Sequence, residues 1–207
     1  MTLLRTTSAN STEAKCRQRQ HWTSLLAWLV LCTLSGFVSA SDTTEPDPSL
    51  ISKLKLAAAD AQSFDNHYDA QVWLTAKDFH LAKLIKNADQ RLELLSLIHS
   101  EARRADLAPE IVLALIEVES GFNSYAVSSA GAQGIMQVMP FWKTQIGRPQ
   151  DNLINTQTNL RYGCTILKHY LDLEQGRLAE ALARYNGSYG QTWYAERVLD
   201  AWAERWR

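Results

Sequence analysis

Pro109-Glu110-Ile111-Val112-Leu113-Ala114-Leu115-Ile116-Glu117-Val118-Glu119-Ser120, followed by Gly121, reads as one helix with a defined start. Proline suits the first helical position, where its missing N–H is no loss and its φ is already helical. Stepped at about 100° per residue, Ile111, Val112, Leu115 and Val118 share one face, and Glu119 falls in the middle of it. Glu117 falls beside Glu110 on the opposite face, which the pattern assigns to solvent. Only one of these carboxylates points where a charge is costly, and desolvation keeps such a group protonated to higher pH. A glutamate tuned in this way suits general acid catalysis near neutrality. The competing reading is that Glu119 reaches past the helix end into water, as most glutamates do. The next segment weighs against that. Gly121, Gly131 and Gly134 let a loop pass close to the helix end, the close backbone approach a cleft requires.

Outward from this helix the periodicity is helical almost throughout. Leu54–Phe64, Val72–Ile85 and Arg91–Ala105 place apolar residues three or four apart, with Leu92, Leu95, Ile98 and Ala102 on one face of the third. A short helix is expected over Ile135–Met139, stopped by Pro140. Asn155 or Thr156 can cap a long helix through Leu171, with Leu160, Cys164, Leu167 and Leu171 turned inward. Leu178–Tyr185 and Trp193–Trp206 close the chain, the latter docked by Val198, Trp202 and Trp206. No alternating run is long enough for a strand. The fold class expected is all-α.

Composition narrows the function. Residues 1–40 carry Arg5, Lys15, Arg17, Arg19 and Glu13, leaving 17 basic and 21 acidic residues and a net charge of −4 for the remainder. Nucleic acid requires a basic footprint, so it is not an expected partner. Basic residues up to Arg19, the apolar run Leu25–Leu34 and the small residues Val38-Ser39-Ala40 read as a secretory signal. An uncleaved inner-membrane anchor is the alternative, since Trp22–Ser41 is uncharged. Ser, Thr and Gly dilute that stretch, which favours cleavage and a periplasmic location. Ser41–Ser49, with Pro46 and Pro48, reads as a linker. The organisation expected is residues 1–40 as signal, 41–90 as linker and helical arm, and 91–207 as the functional domain. Cys16 and Cys32 leave with the signal. Cys164 remains as a small core residue, with no basic neighbour in view to activate it. His21, His67, His80, His99 and His169 show no ligand spacing, so no metal and no cofactor is expected.

Glu119-Ser120-Gly121-Phe122-Asn123, Ala126-Val127-Ser128 and Gly131-Ala132-Gln133-Gly134-Ile135-Met136-Gln137-Val138-Met139-Pro140 together resemble the soluble lytic transglycosylases. That family is similar in fold to goose-type lysozymes, so a lysozyme-like helical domain with an N-terminal helical arm is implied. Ala183-Arg184-Tyr185-Asn186-Gly187 is similar to the family's Tyr-Asn-Ala-Gly segment, and Asn159, Gly163 and Leu171 sit on the preceding helix as family positions do. The likeness runs over roughly residues 92–200. It implies peptidoglycan glycan strands as substrate and Glu119 as the sole acid and base. It further implies Ser128 beside the substrate N-acetyl group and Gln137 and Met139 along the cleft. Tyr185 would aim its hydroxyl at the catalytic carboxyl, with Asn186 supporting its loop. The chain departs from the family at Phe141-Trp142 and Gly187-Ser188. Gln191 and Thr192 stand where some relatives have a further glutamate.

Glycoside hydrolysis ordinarily uses two carboxylates. Asp151, Asp172 and Glu174 read as solvated charges, which leaves Glu119 alone. One carboxyl suffices if N-acetylmuramic acid supplies its own nucleophile and closes a 1,6-anhydro ring after cleavage of its β-1,4 bond to N-acetylglucosamine. A lysozyme-type hydrolase on the same substrate and a non-catalytic glycan-binding protein are the rival readings.

Overall fold

The computed structural model describes residues 63–207 and, ahead of them, Ser52 alone. The signal segment and nearly all of the expected helix Leu54–Phe64 lie outside the described residues. Everything described below belongs to the unit Glu45–Arg207. Its helices are α1 (His67–Leu81), α2 (Ala88–Arg104), α3 (Pro109–Ser120), α4 (Trp142–Ile146), α5 (Thr156–Leu173), α6 (Leu178–Asn186) and α7 (Trp193–Ala201), with a π-helix over Trp202–Trp206. Asparagines start three of them. The side chains of Asn66, Asn87 and Asn155 accept from backbone N–H groups in the first turns of α1, α2 and α5, satisfying donors that a helix leaves unpaired. Among the described residues the only β pairings are isolated bridges, Val127 with Gln133 and Gln133 with Val138. The all-α expectation is met.

Helix α3 is the axis of the unit. Ile111 to Ile116 are buried on every side, and the helix packs against α2, α7 and the π-helix. The face assigned to solvent is therefore half-buried rather than open. Glu110 accepts the Trp73 indole N–H at 2.6 Å, and Glu117 accepts that of Trp206 at 2.5 Å while pairing with Arg205 at 2.9 Å. A helix apolar nearly all round is enclosed by its neighbours, and a carboxylate on it then needs a partner.

Helix α1 shares the same core. Ala70, Leu74 and Leu81 are fully buried, Asp78 grips Arg91 of α2 through two bonds of 2.5 and 3.1 Å, and Lys77 donates to the Trp206 carbonyl at 2.5 Å. Burial lowers the Lys77 pKa, and the charge of Glu110 opposes that shift. Residues assigned to an arm thus form a wall of the body. Two boundaries also differ from expectation. Ile135–Met139 is a turn closed by the Gln133–Val138 bridge rather than a helix, and Gln137 within it takes a left-handed φ of 50°. The last helix changes after Ala201 to a π-helix, whose wider turn ends with Trp206 against Glu117. Leu160, Cys164 and Leu167 are fully buried as expected, and burial pushes the Cys164 thiol up to about 12, far from a reactive thiolate.

Candidate active site

Glu119 lies in the last turn of α3 and is half-buried. The hydroxyl of Tyr194, in the first turn of α7, donates to its Oε1. Burial raises the Glu119 pKa above the usual carboxyl range, while the Tyr194 hydrogen bond and the charge of Arg197 pull it back. Burial and the adjacent carboxyl push the Tyr194 hydroxyl strongly upward, so it stays a donor. A carboxyl in this setting can hold a proton at higher pH than a solvated one and still release it.

The loop after α3 is anchored to the helix end and to α5. Gly121 caps α3 with a φ of 57°, a left-handed turn that favours glycine. The Ser120 hydroxyl donates to the Ile135 carbonyl at 2.7 Å, folding the loop back on the residue next to Glu119. Asn159, fully buried on α5, closes the clamp. Its Oδ1 accepts Met136 N–H at 2.7 Å, and its Nδ2 donates to the carbonyls of Gln133 and Leu153 at 2.7 and 2.8 Å. One turn further along, a Cβ at Gly163 would collide with the side chain of Met136, so the loop lies directly on α5.

The residues singled out from the sequence fall around this frame. Ser128 is half-buried and its hydroxyl accepts Ala132 N–H at 3.0 Å, closing a tight turn. The Gln137 amide donates to the carbonyls of Gly134 and Ala126 at 2.8 and 3.2 Å, holding the loop on itself. Met139 is half-buried on the strand of chain leading to α4, and Asn186 is exposed at the end of α6. Tyr185 does not aim at the carboxyl. It donates to the Met136 carbonyl at 2.7 Å, close enough to Glu119 that the carboxyl's charge helps raise its pKa. Tyr194 takes the place expected of Tyr185. Sequence reasoning passed over Tyr194, and it named Ser120 and Asn159 as motif positions without assigning either a role. The signal for Tyr194 was available: a tyrosine on the buried face of a helix needs a partner for its hydroxyl.

Other carboxylates nearby are committed elsewhere. Glu174, expected to be solvated, is buried between Arg177 and Arg184. Asp151 accepts the Tyr162 hydroxyl at 2.6 Å and pairs with Arg148, and Asp172 pairs with Lys168. Hydrogen bonds from Arg177 and Arg184 hold the Glu174 carboxyl below its ordinary pKa, and that from Tyr162 does the same at Asp151. Among the described residues no group of His, Cys, Asp and Glu is arranged to hold a metal ion. A cavity of about 450 Å³ lies between α2 and residues 122–125, over Leu94, Leu97 and Phe122, but Glu119 does not line it.

Comparison with known proteins identifies the family. Residues 96–201 match the family model described as the transglycosylase SLT domain. The membrane-bound lytic murein transglycosylase C of Actinobacillus pleuropneumoniae serotype 5b is 48% identical over 48 residues, 23% of this chain and 13% of that protein. A transglycosylase of Enterobacteria phage PRD1 is 29% identical over 100 residues, 48% of this chain and 37% of that protein. The X-ray structure of an inactive mutant of the lytic transglycosylase Slt from Pseudomonas aeruginosa superposes with a TM-score of 0.40 at 19% identity, covering 75% of this chain and 33% of that one. The chain therefore spans well under half the length of these relatives. With the family model matched across about half of its residues, and Glu119 with its loop inside that match, the chain belongs to the transglycosylase SLT domain family.

Proposed function

We propose that the protein is a peptidoglycan lytic transglycosylase that breaks the β-1,4 bond between N-acetylmuramic acid and N-acetylglucosamine without water. The observation that carries this reading is the isolation of Glu119. It is a desolvated carboxyl with a raised pKa, held by one tyrosine, while Glu117, Asp151, Asp172 and Glu174 are tied to cations. Protonated Glu119 gives its proton to the leaving glycosidic oxygen as the muramic acid N-acetyl group supports the developing positive charge. The carboxylate then takes the proton of that sugar's carbon-6 hydroxyl, whose oxygen bonds to carbon 1 and closes the 1,6-anhydro ring. The attacking group is already part of the substrate, so a high effective molarity replaces a second carboxylate. Ser128, Gln137 and Met139 stand as substrate-side residues of the anchored loop, with Tyr185, bonded to the Met136 carbonyl of that loop, and Asn186 as further binding residues. The murein relatives point the same way, toward the cell envelope, where an exported enzyme would meet this substrate.

Mass spectrometry of the soluble products from purified peptidoglycan tests the proposal. Muropeptides ending in 1,6-anhydromuramic acid are expected. Reducing ends would make the protein a hydrolase, and binding without product would make it a glycan-binding protein.

Tyr194 is a positioning residue in this scheme. Tyr194→Phe removes a hydrogen bond that favours the ionised form of Glu119, so the Glu119 pKa rises further. The basic limb of the pH–rate profile is expected to move to higher pH, and kcat at its optimum to fall about tenfold. A rate loss with an unmoved limb would mean that Tyr194 serves only the packing of α7.

A further inference from the structure

The exposed face of α7 carries two side chains that the fold does not use. Trp193 is 46% exposed, yet its ring is fixed: the indole N–H donates to the Gln191 side chain at 2.8 Å, and the ring meets that of Tyr194 edge-on, with centroids 5.8 Å apart and planes at 86°. Arg197 is exposed one turn later. Residues four apart on a helix are surface neighbours, so Trp193 and Arg197 share one exposed stretch of α7. Arg197 has no ion-pair partner among the described residues, although Glu196 and Asp200 flank it on the same helix. Arg184 and Arg205, on neighbouring elements, are each held by a glutamate. Tyr189, the other exposed aromatic of the α6–α7 connection, already has Arg184 over its ring at 3.8 Å. Trp193 thus presents an apolar face beside Tyr194, and Arg197 a charge that no ion pair holds, its field reaching Glu119 and Tyr194.

We propose that Trp193 and Arg197 form a subsite for a sugar bearing a carboxylate: the ring stacks on the indole, and the guanidinium takes a carboxylate carried by the muramic acid side chain. This rests on the glycan-cleaving reading above and adds a means of telling muramic acid from N-acetylglucosamine. The two sugars differ by the lactyl ether, and a guanidinium matches a carboxylate in shape and charge. An indole offers a large apolar surface that is already ordered before the ligand arrives. The carboxylate has two sources, the lactyl group itself in peptide-free strands or the stem peptide attached to it.

The test is calorimetric binding with the full chain carrying Glu119→Gln, so that no ligand is cleaved. Three probes are compared: a peptide-free N-acetylglucosamine–N-acetylmuramic acid tetrasaccharide, the same tetrasaccharide bearing stem peptides, and chitotetraose. Adding Arg197→Gln is expected to weaken a carboxylate-bearing probe about tenfold and leave chitotetraose unchanged. Loss on the peptide-free probe assigns the lactyl carboxylate, and loss confined to the peptide-bearing probe assigns the stem. Arg197→Lys should restore part of the affinity. Trp193→Ala should weaken all three probes about fivefold, and Trp193→Phe less. Unchanged binding in both variants, an equal loss on every probe from Arg197→Gln, or no binding by the parent overturns the subsite. The anhydro products of the active enzyme decide the proposed reaction separately, so either idea can fail alone.

Discussion

Glu119→Gln is expected to lower turnover on peptidoglycan by about three orders of magnitude, within the range that a positioned general acid contributes. Glutamine keeps the size of the side chain and an oxygen for the Tyr194 hydroxyl, but has no proton to give and no carboxylate to take one back. The stability effect runs the other way. The Glu119 pKa is raised in the fold by burial, so its ionised form is penalised there. Below the unfolded pKa both states hold the proton and there is no penalty. As pH climbs through the unfolded value and then the folded one, the native protein loses stability. Glutamine has no such dependence. The variant should therefore melt at or above the wild-type temperature at neutral pH, with the gap closing toward about pH 4. Parallel assays of product release and thermal melting against pH check both parts. A variant that is inactive but melts well below wild type would show that Glu119 supports the fold, and the proposed role would fall.

Asn159→Ala should produce the largest loss of stability among the changes considered. The side chain makes three buried bonds, to Met136 N–H and to the carbonyls of Gln133 and Leu153, all within 2.8 Å. Alanine leaves those backbone groups without the side chain and opens a small void. The expected cost is about 3 kcal/mol, near a 10 °C fall in melting temperature for a unit of this size. Activity should fall further than the folded fraction, because the clamp holds the segment that carries Ser128, Gln137 and Met139. Hydrogen exchange would locate the effect: the amide of Met136 should lose protection first, while those of α3 stay protected at temperatures where the fold persists. Uniform loss of protection would instead assign Asn159 to global packing alone.

The longer helices were legible because each is specified locally, whereas the short α4 was not read from the sequence. Pro109 starts α3, asparagines start α2 and α5, and the three-to-four spacing of Leu92, Leu95, Ile98 and Ala102, or of Leu160, Cys164 and Leu167, marks the faces that the core covers. Glu119 was legible for a related reason, as a carboxyl at the end of an apolar helix ahead of a glycine-bearing loop, and the motifs of that loop carried the family. The partners of these groups lie far apart in sequence. Tyr194 reaches Glu119 across 75 residues, Asn159 reaches Met136 across 23, and Trp206 reaches Glu117 across 89. No local spacing records such a pairing. The helical wheel ranked Glu119 above Glu117 as if only one face of α3 were buried, whereas the assembled fold encloses the helix and neutralises Glu117 with Arg205. The turn over Ile135–Met139 was likewise decided by Asn159 and by the bridge from Gln133 to Val138, which outweigh one turn of helix. The sequence by itself determined the longer helices, most of their buried faces and a candidate for the carboxyl that gives up a proton. The tertiary structure decided which hydroxyl holds that carboxyl and which other acids are neutralised, because desolvation and hydrogen bonding depend on neighbours that only the folded chain brings together.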